Sequence, residues 1–567
     1  MSLLKHVVSY QDNPVTLSCF TLGVLSIVVL SFRAIRSWRR RQAVFSAKGC
    51  QRPQVVISAL TDMWSNLQIA LSDGGFHDGH MERYRKYGAT YESSFFGFFR
   101  TIYTTDPDNV KAILGTDFAK WGMGDRRRLM LREVIVNGIF VNDGERWEHS
   151  RSLLRPSFKK VNAENAEFFE RHFRQLLQAM PEVNPFSGLV DVDLQPLFLR
   201  MTHDSATELF LGKSMNSQLA PKDSEPARFL EVFDYCIRGV LKNEVLTRGV
   251  LAPLGLFLWV CRGGKKDRYQ ESCESVQKIV AQEIQQRLED FKSSASGEQE
   301  EGDGRVMSNP FVRELSVQTD DQIRMRDEII SVLFAGRDST GSLLSNAMFM
   351  LARRRDVWDA FRAEVKEAFE ERLPDFGTLR QMKVLDNILK ETLRLYPPVP
   401  ANYRAALVDT TLPRGGGADG QGPIAVPAGT GAWYHPHTFH RSVAVFGEDA
   451  NEWEPSRWQN PSLKPGWAYL PFNGGPRICP GQTFAVAESS YILARMAQEF
   501  KSVERRDPNL HWRPRVSLAT CHLATPSSGS SSYSHRDESG SEMLQHMLKD
   551  LIASSTMVCC CSRGYIQ

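Results

Sequence analysis

The chain lacks a disulfide framework. Its ten cysteines are scattered, with no CxxC pair among them, which fits a reduced compartment and excludes a small stapled scaffold. It also lacks a decisive charge: the formal net charge of +3 over 567 residues excludes nucleic acid as an expected partner. It has no internal repeat, and no flavin or nucleotide fingerprint. Long hydrophobic runs are missing with one exception near the N-terminus. What remains is an ordinary globular composition, 42% hydrophobic and 24% charged, which excludes disorder as the dominant state.

The exception is Val15 to Phe32, VTLSCFTLGVLSIVVLSF, which carries no charge. As a helix it spans roughly 27 Å, close to a bilayer core. Arg33, Arg36, Arg39, Arg40 and Arg41 follow at once, against Lys5 offset by Asp12 on the other side. The positive-inside rule then predicts a single-pass anchor with everything after it in the cytosol. A cleaved signal peptide is the rival, disfavoured by the length of the run and the arginines after it. Gly249 to Cys261, GVLAPLGLFLWVC, is shorter and contains a proline, so it reads as an apolar lid or a monotopic contact.

Helical periodicity dominates the rest, as in Ala163 to Met180. Strand-like text is brief: Arg100 to Asp106 alternates, and Ile424 to Tyr434 reads as a hairpin. The expectation is a mainly α domain with a small β region. Residues 1–50 form the anchor and hinge, 51–520 the catalytic domain, and 521–567 a serine-rich tail. Ser293 to Gly304 is acidic and reads as a surface loop. The tail ends near the run Cys559 to Cys561, a palmitoylation candidate or a segment without function.

Thr319 and Gln322 form a capping-box pattern, which predicts a buried helix from about Asp320 to Arg354. Inside it lies AGRDSTG, Ala335 to Gly341. Two glycines, an arginine, an aspartate and two hydroxyls break the rules of a buried helix together. Ala335 and Ser339 share a face, Asp338 lies to one side, and Thr340 is rotated away. Gly336 leaves room for water or a diatomic gas if the helix opens there. A polar kink with an internal salt bridge is the simpler alternative. Glu391 and Arg394 form an i,i+3 pair among Leu389, Leu393 and Leu395, which predicts a buried pair with Arg457 as its further partner.

The densest signal is FNGGPRICPG. Phe472, Gly475, Arg477, Cys479 and Gly481 satisfy F-x-x-G-x-R-x-C-x-G, a match with chance odds of roughly 10⁻⁴ or less in a chain of this composition. Backbone N–H groups freed by the glycines lower the basicity of a thiolate ligand, and Arg477 can pair with a carboxylate beside it. A buried, inert cysteine is the alternative.

With Trp147 and Arg151 in WEHSR, then AGRDST, ETLR, PSRW and the cysteine loop in order, the chain resembles the cytochrome P450 family from about Arg83 to Leu518. That resemblance implies heme b (iron protoporphyrin IX) with Cys479 as its axial ligand and metal site. It implies propionate contacts from Trp147, Arg151, Arg404 and Arg477. It implies a structural triad of Glu391, Arg394 and Arg457, and proton relay to dioxygen through Asp338 and Ser339, with Thr340 adjacent.

The implied activity is monooxygenation. The stretches 83–114, 138–158, 334–345 and TLPRGGG (Thr411 to Gly417) are similar to the fungal branch that hydroxylates alkanes and fatty acids. The alternatives are a monooxygenase that tailors a fungal secondary metabolite, polyketide or terpenoid, and an impaired heme-binding protein. The implied partners are O2, a lipophilic substrate, NADPH-cytochrome P450 reductase and cytochrome b5, at the endoplasmic reticulum membrane. Arg146, Arg155, Lys159 and Lys160 could offer the reductase a basic face, with an ordinary solvated helix face as the alternative. The chain departs from the pattern in three ways. Ser339 stands where a threonine is usual, Ser456 where an acid is usual, and the closing hairpin after Arg515 to Ala519 is not recognisable.

Overall fold

The computed structural model describes residues 49–57, 75–95, 99–160, 166–248, 265–295, 310–506, 512, 514–515 and 521–522, with scattered positions from 28 to 46. The chain divides into two compact units. The apolar run Val15 to Phe32 lies outside the described residues except for Val28, Ser31 and Phe32. Among the described residues no helix is long and apolar enough to cross a membrane.

The first unit is built on strands. β1 (Gln54–Ile57) runs parallel to β2 (Thr90–Phe95), which pairs antiparallel with β3 (Phe99–Thr104). The sheet continues through β8, β5 and β4, that is Gly431–Tyr434, Asn402–Ala406 and Trp121–Gly122. The alternating stretch expected at Arg100 is thus β3. Ile424 to Tyr434 is not a hairpin: β7 (Gly422–Val426) turns back on β6 (Thr410–Gly416), while β8 joins β3 in the other sheet. The sequence shows two strands separated by a turn but not which neighbour each strand takes. Asn109 ties this unit together. Its amide donates to the Thr90 and Thr104 hydroxyls and the Arg414 carbonyl, and its oxygen accepts from Arg414 N–H.

The second unit is helical: α1 (Gly144–Lys160), α2 (Ala166–Gln178), α3 (Leu194–Leu211), α4 (Glu225–Arg248), α5 (Arg268–Ala295), α6 (Gln322–Leu351), α7 (Arg355–Phe369), α8 (Lys383–Leu395) and α9 (Gln482–Glu499). The first residues of the expected acidic loop, Ser293 to Ala295, belong to the last turn of α5. The core joins Phe169 and Phe173 of α2, Phe198 of α3, Leu344 of α6, Trp358 of α7, Leu393 of α8 and Tyr491 of α9. Each such side chain removed from water contributes about 1.5–3 kcal/mol.

The long helix α6 begins later than the capping box predicts. Asp321, not Thr319, is its N-cap, accepting from Arg324 N–H at 3.0 Å. A carboxylate suits the positive end of the helix and wins over a hydroxyl two residues earlier. Its close crossing with α3 depends on Gly341, where a Cβ would lie 2.8 Å from Leu199. Thr202 of α3 seals the crossing by donating to the Arg337 carbonyl at 2.9 Å. Near the C-terminus a short antiparallel pair, β9 (Pro514–Arg515) with β10 (Cys521–His522), stands where no closing hairpin was expected. The serine-rich tail and Cys559 to Cys561 lie outside the described residues.

Candidate functional site

The cysteine loop is held by its own backbone. Cys479 N–H donates to the Phe472 carbonyl at 2.9 Å, and Ile478 N–H to Gly475 at 3.0 Å. Two positive φ angles, 64° at Asn473 and 66° at Gly475, make the turn. Gly475 adopts this conformation without the cost a Cβ would bring. Gly474 is required for space, since a Cβ there would meet Trp467 at 2.8 Å.

Cys479 presents open surface. Burial nevertheless raises its thiol, against the lowering effects of Gly481 N–H, Arg151 and Gln482 N–H. The backbone donors act in the direction the glycines suggest, but burial outweighs them. Only a bound cation would deprotonate this sulfur outright.

A cation cluster stands beside the loop. Arg477 is buried, donates to the Asn142 carbonyl and pairs with Asp143 at 2.8 Å. Its guanidinium lies 4.4 Å from the Trp147 ring centroid, while Arg151, one turn along α1, lies 5.9 Å from the same ring. Arg151 also donates to the Ile478 carbonyl at 2.8 Å. Trp147, Arg151, Arg477 and Cys479 are therefore brought together. Arg404 belongs to the first unit, where it is buried on β5 and donates to the Tyr403 carbonyl.

On α6 one short stretch differs from its surroundings. Ala335 is exposed and Gly336 and Ser339 are half-buried, while Phe334, Arg337, Asp338 and Thr340 are buried. The helix is unbroken through Gly336, whose missing Cβ would meet Ala206 and Phe210 at an ordinary 3.5 Å. The hydroxyl of Ser339 bonds back to the Ala335 carbonyl at 2.6 Å. Such back-bonding, rather than an opened turn at Gly336, is the local perturbation of the helix. Asp338 is held by Arg337 at 3.1 Å, and Arg337 reaches on to Asp234 of α4 at 2.5 Å. Thr340 does not join the open patch, and its hydroxyl has no hydrogen-bond partner among the described residues.

Two aromatic rings link the loop to this helix. A Cβ on Gly481 would lie 3.2 Å from Phe158, whose ring packs edge-on against Phe210 at 5.6 Å, and Phe210 in turn abuts Gly336. Neither ring is singled out by sequence pattern, nor is Asp143, which holds Arg477. The only sequence signal for Asp143 is its place just before the start of α1.

The acid–base pair on α8 is buried as expected. Arg394 donates twice to Glu391, and Arg457 reaches the same carboxylate at 3.4 Å. Trp458 Nε1 and Glu454 N–H add donors that the pattern does not reveal. With Ser456 in place of an acid, Arg457 pairs with Asp449 at 2.8 Å, and Ser456 instead donates to Glu454. His440 connects the pair to the loop. It bonds through Nδ1 to the Arg394 carbonyl, and Nε2 accepts from Leu470 N–H at 2.8 Å.

A soft thiol with backbone donors, arginines stacked on an indole beside it, and an open helix patch of small residues fit a heme. The comparisons agree. The Cytochrome P450 family profile matches residues 57–518. A relative from Aspergillus japonicus, Cytochrome P450 monooxygenase himC, is 35% identical over 91% of this chain and 92% of its own. Cytochrome P450 monooxygenase fsdH of Fusarium heterosporum is 33% identical over 89% and 87%. Cytochrome P450 52A3-A of Candida maltosa is 38% identical over 72% and 77%. On this breadth of match the chain belongs to the cytochrome P450 family of monooxygenases.

Proposed function

We propose that the chain is a membrane-bound monooxygenase that hydroxylates aliphatic C–H bonds of long-chain fatty acids or alkanes. Heme b, when bound, supplies the activation of dioxygen that the reaction needs. The observation that carries the monooxygenase chemistry is the Cys479 side chain, open on one side and faced by Gly481 N–H, Gln482 N–H and Arg151 on the other. The aliphatic substrate rests on the four stretches similar to the alkane- and fatty-acid-hydroxylating branch.

In this reading Cys479 is the metal ligand within the loop shaped by Phe472, Gly475 and Gly481. Trp147, Arg151 and Arg477 would hold the heme carboxylates. Ala335 and Gly336, the small residues of the open patch, would leave room for dioxygen and substrate. Ser339 hands a proton inward, Asp338 supplies it, and Arg337 keeps the Asp338 carboxylate in place. Thr340 is the less favoured hydroxyl because it is buried away from the open patch. Glu391, Arg394 and Arg457 brace the fold around the loop.

Residues 1–50 anchor the chain in the endoplasmic reticulum membrane, 51–520 form the cytosolic catalytic domain and 521–567 a separate tail. Electrons come from NADPH-cytochrome P450 reductase, with cytochrome b5 as a second donor. Arg146 and Arg155 are exposed on α1, as a docking face for an acidic partner requires. The side chains of Lys159 and Lys160 lie outside the described residues.

Purified protein reconstituted with reductase and NADPH, and offered fatty acids and alkanes of graded length, tests the reading. Hydroxylated product with a chain-length optimum is expected. A reduced, carbon-monoxide-bound spectrum of the thiolate type with no oxidised aliphatic product would leave the monooxygenase standing and overturn the substrate. A polyketide or terpenoid would then be the next class to screen.

A further inference from the structure

Two thiols meet far from the cysteine loop in sequence. Cys236 of α4 and Cys273 of α5 are both fully buried, with their sulfurs 3.3 Å apart. The approach is built into the helix pair. One turn beyond Cys236 lies Gly239, where a Cβ would collide with the Tyr269 ring at 2.1 Å. Tyr269 stands one turn before Cys273. The pairs 236 with 273 and 239 with 269 therefore align two antiparallel helices face to face, and the absent side chain at Gly239 lets them close until the sulfurs touch.

We propose that Cys236 and Cys273 are an oxidative modification site that a small hydroperoxide converts to an intramolecular disulfide joining α4 to α5. Hydrogen peroxide oxidises one thiol to a sulfenic acid, breaking its O–O bond and releasing one water. The second sulfur then attacks the first, the S–O bond breaks, the S–S bond forms, and a second water leaves with the remaining thiol proton. Two electrons pass from the two sulfurs to the peroxide, and no other reductant or oxidant is needed. The gap left to close is roughly 1.3 Å, given a bond length near 2.05 Å.

The same environment sets the rate. Hydrogen bonding to Cys273, then burial, raises the Cys236 thiol well above its ordinary range. The resting Cys236 is held as the thiol, and the thiolate is the reactive form. Oxidation is therefore slower than at an exposed cysteine, and a small neutral oxidant is favoured over a bulky disulfide such as oxidised glutathione. The bond would close a loop of residues 237–272.

The test uses the full-length holoprotein, treated with graded hydrogen peroxide, quenched, alkylated under denaturing conditions and mapped without reductant. The expected result is a peptide pair linked through Cys236 and Cys273, lighter by two hydrogen atoms and separated by dithiothreitol. In Cys236→Ala the linked pair disappears and Cys273 is recovered alkylated. Cys50 is another buried free thiol and serves as the reference; should both cysteines of the wild type be recovered singly alkylated at peroxide levels that oxidise Cys50, or should Cys236 pair elsewhere, the proposal fails. The wild-type map decides even if the variant does not fold.

Discussion

Arg394 grips both oxygens of Glu391, Nε to Oε2 and Nη2 to Oε1, each at 2.8 Å, and neither side chain touches solvent. The third nitrogen of the fork donates to the His440 and Ala450 carbonyls. A buried pair of this kind is costly to break from one side, because the partner's charge is stranded. Arg394→Met removes the charge and the bidentate fork together and strands the Glu391 carboxylate. Chemical denaturation should show a loss of about 3–5 kcal/mol. A loss below about 1 kcal/mol, the scale of a surface pair, would mean the bracing is carried elsewhere.

Cys479→Ala should abolish heme binding while leaving the helical circular dichroism in place. The core of α2, α6, α7, α8 and α9 is formed without the loop's sulfur. Expression under heme supplementation, followed by the Soret absorbance per protein, makes the measurement. Retention of a heme band with turnover would remove the cysteine from the site.

How much of this could be read beforehand depends on whether a residue's partner is local. The Glu391–Arg394 pair was legible because both partners lie on one helical turn flanked by leucines. The cysteine loop was legible because its glycines and prolines encode their own turn. Asp143 was not, since it holds Arg477 across 334 positions of sequence. Phe158 and Phe210 were not, because any core uses phenylalanine. The pairing of β8 with β3 was missed for a similar reason: strand neighbours are chosen by the sheet, not by the turn between β7 and β8.

His440 gives a pH dependence with a definite sign. Burial lowers it to about 3, and its Nε2 accepts from Leu470 N–H, so the folded state holds it neutral. The unfolded chain takes up the proton near the ordinary value of about 6.5. Between those values the unfolded state binds more protons, so stability falls as pH falls, by about 1.4 kcal/mol per unit from this group. Urea titrations at pH 5 and pH 6.5 should show the stability of His440→Asn falling with pH relative to the wild type by that amount, because the variant loses the rise that His440 supplies. An unchanged slope in the variant would show that His440 is not buried neutral.

Ser339 carries the proposed inward proton step, although its hydroxyl rests on the Ala335 carbonyl. Ser339→Ala should lower product formed per NADPH and raise hydrogen peroxide. A loss of at least roughly 100-fold in the productive step is the scale expected when a proton-transfer group is removed. Ser339→Thr keeps a hydroxyl at the same helical position and should restore coupling. Equal coupling in the alanine and threonine variants would move the proton path off this residue.

Glu488 should act in the opposite direction to His440. It is fully buried on α9, accepts one hydrogen bond from Ser205 of α3 at 2.5 Å, and its other oxygen has no partner among the described residues. Burial pushes it up to about 8. The folded state therefore keeps a proton that the unfolded chain releases near pH 4.5. Its contribution is fully present below that value and is lost as pH rises to about 8, again by about 1.4 kcal/mol per unit. Between pH 4.5 and 6.5 the two slopes oppose one another, so the wild type should show little net dependence from this pair of residues. Glu488→Gln keeps the acceptor for Ser205 and removes the titration. Its stability should rise with pH across that window, where His440→Asn should fall. Parallel slopes in the two variants would show that one of the buried groups does not hold the protonation state assigned to it.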